Sequence, residues 1–146
     1  MSDPSKTQPE GFTSVGDMLL TPAVIEIVVA DMAASLAFYR RLGLDIATEA
    51  DTEPHVDVDL GGIRLAFDTR ETILSFNPSW TPPGGGHGMA LAFSCESPAE
   101  VDAAYAELTG AGATGALEPW DAFWGMRYAS VHDPDGNPVD LFAQLG

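Results

Sequence analysis

Basic residues are scarce in this chain: its 146 residues include six Lys and Arg against 22 Asp and Glu, a formal net charge of −16. Such a charge repels phosphate backbones and anionic lipid surfaces, so neither nucleic acid nor a membrane is expected as a partner. Cysteine is scarcer still. One residue, Cys95, permits no internal disulfide and no cysteine-built zinc site, which fits a reducing compartment. Within its strand pattern Cys95 reads as a small core residue and not as a nucleophile. No apolar run reaches membrane length, and no basic-then-apolar leader opens the chain, so the expected location is the cytoplasm. Phosphate-loop patterns are missing too. The glycines at 84–86 lie in PSWTPPGGGHG without a GxxxxGK or GxGxxG frame, and they read as a linker.

What is present is a repeated order of elements. Residues 1–17 are rich in Ser, Pro, Thr, Gly and charge and read as a flexible arm. The first module, 18–82, opens with the β-branched run AVIEIVV. Asp31 can then cap the helix DMAASLAFYRRLG, with Met32, Leu36 and Tyr39 on one face and Gly43 at its stop. LDIATEA, HVDVDL and IRLAFD follow as three strands, the last two joined through Gly61 and Gly62 as a two-residue hairpin turn. Residues 83–146, linker included, repeat the list. GMALAFSC is a strand, and Ser97, Pro98 and Glu100 form a capping box before a helix whose stripe is Val101, Ala104, Tyr105 and Leu108. ATGALEP, MRYASVH and PVDLFA complete three strands, with DPDGN as the last turn. The expected fold class is α+β, built from two βαβββ modules.

One stretch resists that pattern. EPWDAFWGMRY sets Trp120, Phe123 and Trp124 close together ahead of a strand, and neighbours such as Phe123 and Trp124 cannot both point inward from one regular strand. Either the rings cap the core or they wall a pocket for a flat molecule.

VVADMAASLAFYRRLGL in the first module, with SPAEVDAAYAELTGAGA and ASVHDPDGNPVDLF in the second, closely resemble the vicinal oxygen chelate superfamily, which includes glyoxalase I, extradiol dioxygenases and bleomycin resistance proteins. The resemblance covers residues 22–146 and implies paired modules curled into a half-open barrel. The scaffold hosts both metal enzymes and metal-free binders. Where the metal enzymes carry ligands on the first strand of each module, this chain has Val24 and Met89 or Ala90. Of the acids, Asp68 ends the return strand and Asp140 matches a ligand position on the last strand. A metalloenzyme (lyase, isomerase or dioxygenase) would need His87 or His132 to reach Asp140, and the expectation is that no metal, cofactor or catalytic residue is assigned.

EPHVDVDLGGIRLAFDT, NPSWTPPGGGHGMALAF and EPWDAFWGMRYASVHDPDGNPVDLFA resemble, in order and spacing, the mitomycin-resistance-type drug-binding proteins. That resemblance implies a flat ring held between His55 and Trp124 in a cleft completed by a dimer partner. The expected ligand-binding set is His55, Trp124, Phe123, Trp120, Phe67, Tyr128 and Arg127. Trp120 and Phe123 would shape the loop, and Arg127 would pair with Asp121 or Asp140 or orient a ligand carbonyl. Asp45, Glu49, Asp51, Glu53, Asp57 and Asp59 surround His55 in the sequence, a field that attracts amine-bearing molecules or simply solvates an acidic edge. The function implied is sequestration of a planar aromatic molecule, such as an antibiotic, by a cytoplasmic homodimer.

Overall fold

A computed structural model describes residues 21–82 and 89–146. The arm at 1–17 and the centre of the glycine linker, His87 included, lie outside the described residues. Strand β1 (Val24–Val29) leads into helix α1 (Met32–Arg41), whose N-terminus is capped by the Asp31 carboxylate accepting the Ala34 N–H at 3.1 Å. Strands β2 (His55–Asp59) and β3 (Arg64–Thr69) form the expected hairpin, with Gly61 and Gly62 at φ of 85° and 130°. Only glycine enters that region without strain. β3 lies between antiparallel β2 and parallel β1.

The first module departs from expectation at LDIATEA. Its second half is a 3-10 helix (Thr48–Thr52) and its first half has no regular structure. Arg40 explains why. Its guanidinium donates to the Ile46 and Ala47 carbonyls at 2.8 and 2.7 Å and pairs with Asp51 at 2.9 Å. Carbonyls that a strand would offer to β2 are instead held against α1. A short helix that the hydrophobic pattern does not announce, α2 (Arg70–Phe76), follows β3, capped by Thr69 and anchored by buried Ile73.

The second module is complete: β4 (Leu91–Ser94), α3 (Pro98–Gly110), β5 (Thr114–Ala122), β6 (Met126–His132) and β7 (Pro138–Gln144), in spatial order β4-β7-β6-β5. Ser97 Oγ accepts the Glu100 N–H at 3.3 Å, while the Glu100 carboxylate reaches back to the Glu96 N–H at 2.7 Å. β5 is longer than expected and runs through Trp120 to Ala122, with two irregularities in its register. The loop therefore shrinks to 123–125.

One core serves both modules. Val29, Leu36, Tyr39, Leu65 and Phe67 pack in the same cluster as Val101, Ala129, Val131, Val139 and Leu141. The DPDGN turn also ties the modules together. Asp133 is buried and accepts the Tyr39 hydroxyl at 2.9 Å together with the Asp135 and Asn137 N–H groups. Asp135 accepts the Ala30 N–H and the Ser35 hydroxyl at the start of α1.

Candidate functional site

Strand registers decide which side chains can share a site, because successive residues point to opposite faces of a sheet. In the first sheet the core face carries Ile25, Ile27, Leu65, Phe67, Val56 and Val58, and the opposite face carries Glu26, His55, Asp57, Asp59, Arg64 and Asp68. In the second sheet Ala129, Val131, Val139 and Leu141 face the core, while Trp120, Tyr128, Ser130 and Asp140 lie on the other face.

His55 is clamped by two carboxylates. Its Nδ1 lies 2.6 Å from buried Asp68 and its Nε2 lies 3.1 Å from Asp57. Two acceptors favour two N–H donors, which is the imidazolium form. The bond to Asp68 first, and that to Asp57 next, hold the imidazole pKa above its ordinary value. An imidazolium has no lone pair for a metal, but it keeps a cationic ring face. Glu26, diagonal to Asp68 across the strands, has its carboxyl raised chiefly by hydrogen bonding to Asp68 and then by burial.

The aromatic stretch forms a cluster at the tip of the β5–β6 hairpin. Trp124 lies nearly perpendicular to Phe123, Tyr128 and Trp120, with ring centroids 4.9, 5.4 and 5.5 Å away. Its neighbours fix its position, yet 47% of Trp124 stays exposed, and Phe123 is 91% exposed. The Tyr128 hydroxyl donates to Asp140, and burial followed by that bond pushes its pKa up to about 12. Trp120, Phe123, Trp124 and Tyr128 are thus brought together. His55 stands apart, with no hydrogen bond or ring contact to them among the described residues.

Two expected site residues lie elsewhere. Phe67 is 0% exposed and packs on Tyr39 at 5.1 Å, so it is a core residue that no ligand reaches. Arg127 is on the helix side of its sheet, paired with Asp102 of α3 at 2.9 Å and with Asp121 at 3.0 Å. The expected ion pair to Asp121 is present. Asp140 is instead engaged by Tyr128, and Arg127 is not placed to orient a ligand carbonyl. Cys95 lies against the core, its thiol pushed up by burial and then by Glu100, which is not the environment of a nucleophile.

A metal was tested against the residues that could hold it. Among the described residues no three His, Cys, Asp or Glu are grouped to bind an ion. Asp68 is committed to His55 and Asp140 to Tyr128, while His132 ends β6 opposite Thr114 and Pro138. Among the described residues these side chains do not assemble a divalent metal centre, and His87 lies outside them.

A separate cleft of about 340 Å³ opens beside β1 and β4, edge strands of the two sheets among the described residues, and is bounded by Ile25, Ile27, Trp80 and Leu91. The hydrophobic pattern gave no notice of it, because it depends on how the two modules meet.

A family model described as the glyoxalase/bleomycin resistance protein/dioxygenase superfamily matches residues 21–141. No curated protein matches the chain. Among solved structures, a glyoxalase/bleomycin resistance protein/dioxygenase family enzyme from Burkholderia phytofirmans PsJN is 21% identical with a TM-score of 0.73, covering 84% of this chain and 98% of that one. A glyoxalase/bleomycin resistance protein/dioxygenase from Nocardioides is 26% identical with a TM-score of 0.68, covering 88% and 85%. TioX from Micromonospora sp. ML1 is 23% identical with a TM-score of 0.57, covering 86% and 99%.

Proposed function

The chain belongs to the glyoxalase/bleomycin resistance protein/dioxygenase superfamily, and from that premise we propose that it binds and sequesters a planar aromatic small molecule without a metal ion. An antibiotic is the fitting class, and the role is drug resistance in the cytoplasm. The observation that carries this reading is Trp124: three perpendicular rings orient it while about half of its surface remains open. An oriented, exposed indole offers a stacking face without paying to order it at binding.

His55 supplies the opposing face. Clamped between Asp68 and Asp57, it presents an imidazolium to an electron-rich ring, a cation–π contact on the order of 0.5–2 kcal/mol. Stacking on Trp124 contributes about 0.5–1.5 kcal/mol beyond the buried area. As the resemblance to mitomycin-resistance-type proteins implies, the two faces come from two copies in a homodimer. The acidic surround of His55 favours ligands that carry an amine.

Titration with 1,5-diaminonaphthalene, an electron-rich planar amine that is neutral at pH 7, and with electron-poor 1,4-naphthoquinone tests the reading, the first binding more tightly. Trp124→Ala weakens binding by about 1–3 kcal/mol and Trp124→Phe retains part of the affinity, while the free Trp124→Ala protein, having lost the ring contacts of the hairpin tip, melts a few degrees lower but still cooperatively. Normal binding by Trp124→Ala removes the indole from the site. A collapsed melting temperature returns it to the core.

A further inference from the structure

The cleft beside β1 and β4 contains neither His55 nor Trp124, and it shares only Glu26 with the acidic surround of His55. Its walls are mostly apolar, with Trp80 supplying the large ring and Ile25, Ile27, Met89 and Leu91 among the lining side chains. Volumes of roughly 300–1,000 Å³ with few polar groups are typical of small-molecule sites, and this one holds about 340 Å³.

Three charged residues that could select a ligand line it: Glu26, Arg70 and Asp135. Two are already committed. Asp135 accepts the Ala30 N–H at 2.9 Å and the Ser35 hydroxyl at 3.2 Å, and Glu26 shares its carboxyl with Asp68. Arg70 is different. Arg40, Arg64 and Arg127 each face a carboxylate and Arg41 donates to the Ala37 carbonyl, whereas Arg70, the arginine that lines this cleft, faces no carboxylate among the described residues. A guanidinium at an apolar wall with no carboxylate partner among the described residues is placed to receive one from a ligand, and a carboxylate matches its planar fork best.

We propose that this cleft is a second ligand site, separate from the aromatic hairpin, that takes a small apolar molecule bearing a carboxylate, with Arg70 receiving the carboxylate and Trp80 and Leu91 bounding the apolar body. The probe is 2-naphthoate, compared by calorimetry with uncharged 2-naphthamide and cationic 2-naphthylmethylamine on the full chain. The wild type prefers naphthoate to both by tenfold or more. Arg70→Gln removes that preference, Arg70→Lys keeps part of it, and Trp124→Ala leaves it unchanged. A circular dichroism melt confirms that each variant is folded. The proposal is overturned if naphthoate does not bind at millimolar concentration, if Arg70→Gln binds it as tightly as the wild type does, if the cation binds best, or if Trp124→Ala abolishes binding. The last result assigns the probe to the aromatic hairpin and leaves that reading standing, while loss of 1,5-diaminonaphthalene binding alone counts against the hairpin and not against this cleft.

Discussion

His55 shows how two neighbours set the chemistry of one side chain. Its folded pKa is raised above the ordinary 6.5, by the Asp68 bond first and the Asp57 bond next. A raised pKa contributes stability that is fully present below the unfolded value and is lost as pH rises through the folded value. Glu26 acts in the same direction lower on the scale: its carboxyl is raised above 4.5, so its contribution is lost as pH climbs from there. The melting temperature of the wild type therefore falls as pH rises beyond about 6.5, His55→Gln shows a flatter profile, and affinity for an electron-rich planar ring declines over the same window. Superimposable pH profiles for the two proteins would contradict the clamp. Much of this was readable beforehand. With Gly61 and Gly62 as the turn, His55 falls opposite Asp68 and Phe67 falls opposite Val56, so the hairpin alone assigns Phe67 to the core. Arg127 and Tyr128 are adjacent on one strand and cannot both enter a cleft, so one of them had to be misplaced as a ligand contact.

Elements were readable where periodicity was strong and lost where a tertiary contact overrode it. Both long helices, their caps and the Gly61–Gly62 hairpin follow directly from local patterns. LDIATEA looked like a strand because nothing in the run itself reveals that Arg40 takes its carbonyls. EPWDA looked like a loop because its proline and acids obscure a strand held by pairing with β6. DPDGN was recognised as a turn, but its second task, joining the modules through Tyr39, Ala30 and Ser35, depends on contacts about a hundred residues apart. Asp133→Ala leaves the Tyr39 hydroxyl and two backbone N–H groups without their acceptor and destabilises the fold by about 3 kcal/mol or more, while Tyr39→Phe costs about 1 kcal/mol. Chemical denaturation checks both. If the two variants cost the same, or Asp133→Ala costs under about 1 kcal/mol, the turn is not the latch described.

At the scale of the molecule, the proposed cleft shared by His55 and Trp124 predicts a dimer, and the formal charge of −16 on each copy opposes their meeting. Sizing with light scattering returns a dimer at micromolar concentration that tightens as salt is added, because screening removes the repulsion. A monomer there contradicts the shared cleft. Mixing His55→Ala chains with Trp124→Ala chains restores binding in the mixed dimer, where one of the two clefts regains both faces. The central claim is that binding needs no metal, and it is tested most directly by titrating 1,5-diaminonaphthalene into protein stripped with chelator and into the same protein resupplied with zinc, iron, nickel or manganese. The account predicts one molecule bound per chain with the same affinity in every case. Binding that disappears on stripping and returns with one divalent ion would contradict it.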